Sequence, residues 1–154
     1  MKLDADTIKD YPNFHYYVRV NMPEVAKVDS IVNAIKKIAG KTSKTTIRNA
    51  MKYGNNPLIR VVEDLQCAGK PALGCYRFGA NEIRVNKRLV DEFEAGRGIV
   101  ETPGGKKVYL VGVTILHELT HWADAQDGED ATGEDGDAFE TAVYGKVLDE
   151  SDLV

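Results

Sequence analysis

The chain has 154 residues, a hydrophobic fraction of 43%, a charged fraction of 29% and a net charge of −4, the make-up of one globular domain with an ordinary core. No apolar run approaches the roughly 20 residues of a membrane span. Met1-Lys2-Leu3-Asp4-Ala5-Asp6 leads into polar residues rather than a secretory hydrophobic segment, so membrane protein, collagen, coiled coil and disordered tail are all disfavoured.

Charge is unevenly spread. Residues 1–107 carry 19 Lys and Arg against 12 Asp and Glu, whereas residues 108–154 carry one, Lys146, against 12, so the two parts should attract each other on folding. Basic residues in the first part are scattered rather than blocked, which weakens a reading as a surface for nucleic acid or an anionic polymer.

After an aromatic entry, Tyr11-Pro12-Asn13-Phe14-His15-Tyr16-Tyr17, residues 23–39 place Val25, Val28, Ile31, Val32, Ile35 and Ile38 at helical spacing and stop at Gly40. One amphipathic helix is predicted there. Residues 43–53 predict a second, capped by Ser43 or Thr42 and leaving through Gly54-Asn55-Asn56-Pro57. The pair allows a helix-turn-helix reading, with residues 24–54 as a DNA-binding element.

Leu58-Ile59-Arg60-Val61-Val62, Tyr76-Arg77-Phe78-Gly79 and Glu82-Ile83-Arg84-Val85 read as strands of a small antiparallel or mixed sheet. Residues 82–85 are expected at its edge, where an extended substrate can pair. Between the first two strands, Cys67 and Cys75 flank a turn-like stretch and either face each other as a disulfide or stay as two reduced thiols. With two cysteines and no CxxC, a cysteine metal site is ruled out. Residues 87–95 predict a short helix ended by Gly96, and Thr102-Pro103-Gly104-Gly105 is a break. Residues 108–126 are apolar on nearly every face through Leu116 and then acquire His, Glu, His and Asp, as in a buried central helix whose last turns carry chemistry.

His117-Glu118-Leu119-Thr120-His121 is an HExxH motif on that helix. Residues four apart share a helix face, so both imidazoles can reach one Zn²⁺ at about 2.0–2.1 Å. Such an ion lowers the pKa of a water towards about 7, and Glu118, one residue round the helix, can take the proton. Glu140 follows His121 by 19 residues, a spacing that suits a helix–loop–helix return, and is the preferred third ligand of a His/His/Glu set. Asp127 and Asp137 are its rivals. Asp127 holds the third-ligand place of an HExxHxxGxxH/D pattern, but Asp124 stands where that pattern has Gly.

Asp124 shares the histidines' face and reads as a partner that fixes a ligand. Tyr144, four after Glu140, is a candidate for holding an oxyanion, with packing as its alternative. His15 is a weaker candidate for that role, and Trp122 a wall beside the site or a core residue. Asp124, Asp127, Glu129, Asp130, Glu134, Asp135 and Asp137 make the connection strongly acidic without EF-hand spacing, which favours a solvated loop and a basic substrate or partner.

From His117 to Asp124, then Gly133-Glu134-Asp135-Gly136-Asp137-Ala138-Phe139-Glu140 and Val143-Tyr144-Gly145, the chain resembles the metallopeptidase domains of bacterial polymorphic toxins, including effectors attached to type VI secretion components. The resemblance implies a zincin-like α+β fold, a zinc ion on His117, His121 and Glu140, Glu118 as base, delivery as part of a larger secreted protein, and a cognate immunity protein. We therefore expect one domain over residues 1–154, helical to residue 57 with sheet and metal-binding helices after it, that hydrolyses peptide bonds. The alternatives are an amidase acting on cell-wall peptide and a zinc-containing DNA-binding regulator.

Overall fold

A computed structural model describes residues 1–128 and 135–154. Asp4 starts the first helix, α1 (Ala5–Asp10), its carboxylate accepting the Thr7 backbone N–H at 2.8 Å. The aromatic entry is helical as well: α2 (Pro12–Tyr16) runs on through a π-helical turn (Tyr17–Asn21) into α3 (Met22–Val25). The α2 N-terminus is capped from a distance, since Glu94 accepts the N–H groups of both Asn13 and Phe14 at 2.9 Å.

The single helix expected over residues 23–39 is broken. After α3 the backbone tightens into i→i+3 bonds from Ala26, Lys27 and Val28, and α4 begins afresh at Asp29 (Asp29–Ala39). The Arg48 side chain takes up the Ala26 carbonyl exposed at the break. Ser43 caps α5 (Lys44–Met51) as expected, accepting the Thr46 N–H at 3.1 Å.

The sheet is mixed, with β5 (Glu82–Asn86) between β1 (Leu58–Val62), which it pairs in parallel, and β4 (Gly74–Tyr76), which it pairs antiparallel. Residues 82–85 are thus the centre of the sheet and not its edge. Ile83 and Val85 are both fully buried, the burden of a central strand. The strand expected over residues 76–79 is shifted back to β4, because Arg77 to Ala80 forms a turn with Gly79 at φ 82°.

A two-residue-per-strand hairpin, β2 (Gln66–Cys67) with β3 (Lys70–Pro71), precedes β4, and a disulfide joins Cys67 to Cys75. Asn86 caps α6 (Lys87–Glu94) by accepting the Arg88 N–H. The break at residues 102–105 is the turn of another hairpin, β6 (Ile99–Glu101) with β7 (Lys107–Tyr109), which delays the next helix to Leu110.

That helix, α7 (Leu110–Ala125), is the axis of the molecule: it packs on α4, α6, α8, β4, β5 and β7. Every residue of α7 is buried except His117 and His121. Its C-terminal carbonyls are satisfied by side chains, Ala123 by the Thr42 hydroxyl at 2.6 Å and Trp122 by Gln126. Then α8 (Asp135–Tyr144), which stops before Gly145 at positive φ, lies against α7 and α4. The tail returns to the β6 edge, where Val100 bridges Leu153 and the Val154 N–H bonds Ile99. The opposite charges of the two parts meet at Arg88 and Glu150, 2.7 Å apart. Among the described residues no helix is long and apolar enough to cross a membrane.

Candidate metal centre and active site

The helical period sets the first feature of the site. His117 and His121 share one face of α7, their ring centroids 5.4 Å apart, with side chains 21% and 19% exposed. Glu118, one residue round, points into the protein towards β4 and is 6% exposed. Burial pushes its carboxyl up to about 7, partly opposed by the charge of His117 and by the Tyr76 backbone N–H that bonds it. Gly74 is the close neighbour: a Cβ there would lie 2.8 Å from Glu118 Cγ and from Thr114 Cγ2.

Glu140 comes in from α8 and is 3% exposed. One of its oxygens accepts from Nδ1 of His117 at 2.6 Å, and the other accepts the Leu148 N–H at 2.7 Å. Burial lowers the His117 pKa, but the Glu140 hydrogen bond and the negative field of Glu118, Glu140 and Asp137 outweigh it and hold the imidazole above its ordinary value. Gly136 packs directly on the His117 ring, where no Cβ fits. A cavity of about 200 Å³ opens on these groups, walled by His117, Glu118, Glu140, Gly74, Thr114 and Leu148 among others.

The other sequence candidates fall in distinct places. Asp137 is half-buried at the start of α8, near enough for its charge to act on both His117 and Glu118. Asp127 is exposed in the turn after α7, and Asp124 is buried on α7. Asp135 Oδ2 lies 4.0 Å from His121 Nδ1. Tyr144 meets Phe139 edge-on at 6.1 Å and its phenol is held far above its usual range by burial; it is not among the described wall residues of the cavity. His15 meets Tyr53 with its ring tilted by 58° at 5.5 Å, and the Trp122 indole N–H donates to Asn81. Of the acidic connection, Glu129, Asp130 and Glu134, like Gly133, lie outside the described residues.

Gly74, Thr114, Gly136 and Leu148 were not singled out in the sequence. A glycine inside a short strand signals close backbone approach, and a glycine between two aspartates at a helix start does the same. The amide of Leu148 leaves no such trace.

Two imidazoles one helical turn apart, with a buried carboxylate against one of them, are the donor chemistry of a divalent transition metal. Among the described residues no group of three His, Cys, Asp or Glu is arranged to hold an ion, and Glu140 is engaged with His117 Nδ1 and the Leu148 amide. No curated protein and no solved structure matches the chain. The model of one family does, Metallopeptidase toxin 3, over residues 7–145, which take in every helix and strand just described from α2 to α8. The chain belongs to the Metallopeptidase toxin 3 (Tox-MPTase3) family of polymorphic toxins.

Proposed function

We propose that the chain is a zinc-dependent peptidase, the toxin domain of a delivered bacterial effector, with His117, His121 and Glu140 as metal ligands and Glu118 as general base. The observation that carries this reading is the burial pattern of α7, in which the two histidines alone are left open and the glutamate between them is buried. A helix that used these histidines for packing would bury them with the rest.

Bound zinc supplies Lewis acidity, polarising the scissile carbonyl and making a water acidic enough to react near neutral pH. Glu118 takes the proton of the attacking water and passes it to the leaving amine. The Tyr76 N–H fixes the carboxylate. β4, at the sheet edge beside Glu118, is the strand on which an extended substrate can lie. Tyr144 is assigned to the oxyanion only if Tyr144→Phe lowers kcat with KM unchanged.

Elemental analysis tests the metal site. Wild type should hold about one zinc per chain, as a three-ligand protein site does. If Glu140 is the third ligand, Glu140→Ala loses the ion. If Glu140 only orients His117 through Nδ1, the variant keeps one zinc with affinity weakened about 10–100-fold. Absence of zinc from reconstituted wild type would overturn the peptidase reading. The carboxylates Asp127 and Asp137 serve as controls in the same experiment.

A further inference from the structure

We propose that the Cys67–Cys75 disulfide positions Glu118 through strand β4, so that peptide hydrolysis proceeds at full rate only while the disulfide is oxidised. The inference rests on Glu118 being the base, as proposed above.

Both chain neighbours of Cys75 touch Glu118. Gly74 lies so close that a Cβ would stand 2.9 Å from Oε1, and the Tyr76 N–H bonds the carboxylate. Side chains alternate along a strand, so Gly74 and Tyr76 face α7 while Cys75 points to the opposite side of the sheet. The disulfide therefore grips β4 from behind the surface that meets the base.

Beyond its packing on α7 and the Asn86 bonds to the Ala72 and Leu73 carbonyls, that strand has few ties. β4 has three residues and one ladder partner, β5, through Gly74–Val85, Cys75–Arg84 and Tyr76–Ile83. Its remaining covalent tie is to the β2–β3 hairpin, whose strands have two residues each and whose turn needs Ala68 and Gly69 at positive φ. Without the cross-link, a three-residue edge strand keeps its place against Glu118 by its pairing with β5 and its packing on α7.

The switch is chemically accessible from one end. Cys67 is half-buried and followed by exposed Ala68 and Gly69, whereas Cys75 is 6% exposed. A dithiol attacks Cys67 Sγ through its thiolate, and Cys75 leaves as a thiolate that takes a proton. The second thiol then attacks the mixed disulfide, releasing Cys67 and closing the reductant into its own disulfide. Two electrons and two protons pass to the protein. Such an enzyme is slow where glutathione and thioredoxin keep thiols reduced and fast in an oxidising compartment.

The experiment compares zinc-loaded wild type with the Cys67→Ser/Cys75→Ser double variant, assayed without thiols because dithiols bind zinc. A peptide cleaved by oxidised wild type is the probe, and zinc per chain and amide exchange at residues 74–76 are measured alongside. We expect zinc content to be unchanged, exchange at 74–76 to quicken, and kcat to fall on the order of tenfold or more with KM within about twofold. Wild type reduced with a phosphine, freed of it and assayed should behave as the variant does, and recover on reoxidation. Unchanged kcat in a folded, zinc-loaded variant overturns the proposal, as does loss of zinc from the variant, which would route the effect through the metal. No cleavage by oxidised, zinc-loaded wild type would instead sink the peptidase reading, and this inference with it.

Discussion

Glu118 is the most informative single residue, because its environment bears on both the proposed chemistry and the stability of the fold. Glu118→Gln keeps the shape and removes the proton acceptor, so kcat should fall about 10²–10⁴-fold while bound zinc and the fold persist. Full turnover in that variant would remove Glu118 from the mechanism. In the metal-free protein the same carboxyl links folding to pH. Its folded value of about 7 lies above the ordinary 4.5, so the folded state binds the proton more tightly. Stability is then greatest below pH 4.5 and declines as pH rises towards 7, by on the order of 3 kcal/mol from this group. His117, also raised, adds in the same direction, its contribution present below pH 6.5 and lost as pH climbs through its folded value. Denaturant titrations of the metal-free protein at pH 5 and pH 8 should show the decline, and Glu118→Gln should flatten it. Zinc-loaded protein should show the opposite trend, since metal ligands bind as deprotonated groups. Gly74 is constrained by the same carboxylate. Gly74→Ala places a methyl 2.8 Å from Glu118 Cγ and Thr114 Cγ2, and a loss of about 1–3 kcal/mol in stability is expected by thermal or chemical unfolding.

Among the elements, the disulfide closes a loop of eight residues' separation, and the double cysteine variant should lose about 2–3 kcal/mol of stability by denaturant titration. Elements whose signals are local were legible in the sequence. Ser43 and Gly54 framed α5, Gly96 closed α6, and the uniform apolarity up to Leu116 marked α7 as central. Those set by partners distant in sequence were not. α2 depends on a cap from Glu94, the gap between α3 and α4 is filled by Arg48, and the order of strands around β5 depends on which neighbours cover Ile83 and Val85. The site divides in the same way. HExxH places two imidazoles and a carboxylate on α7 by period alone, whereas the carboxylate on His117 and the strand against Glu118 arrive from α8 and β4 through tertiary packing.

At the scale of the molecule, the proposed substrate site has a second cavity beside it. This second cavity, of about 490 Å³, shares Leu73 with the first and carries Asp64, Arg88 and Glu150, while Asp149 stands at the first. Three carboxylates against one guanidinium favour Lys or Arg in the bound peptide. Cleavage of a peptide library should therefore favour basic over acidic residues near the scissile bond. The preference should fade as salt rises from about 0.05 to 0.5 M, since these groups are partly exposed. The amide of Leu148 on Glu140 has a practical meaning for where the working unit stops. The family match ends at residue 145, but the segment beyond it steadies a carboxylate at the heart of the site and is itself pinned to β6 through Leu153 and Val154. Expression boundaries drawn at the match would cut away a brace, leaving a protein that still contains every residue of HExxH and Glu140 but has lost the strut that keeps the last of them in place.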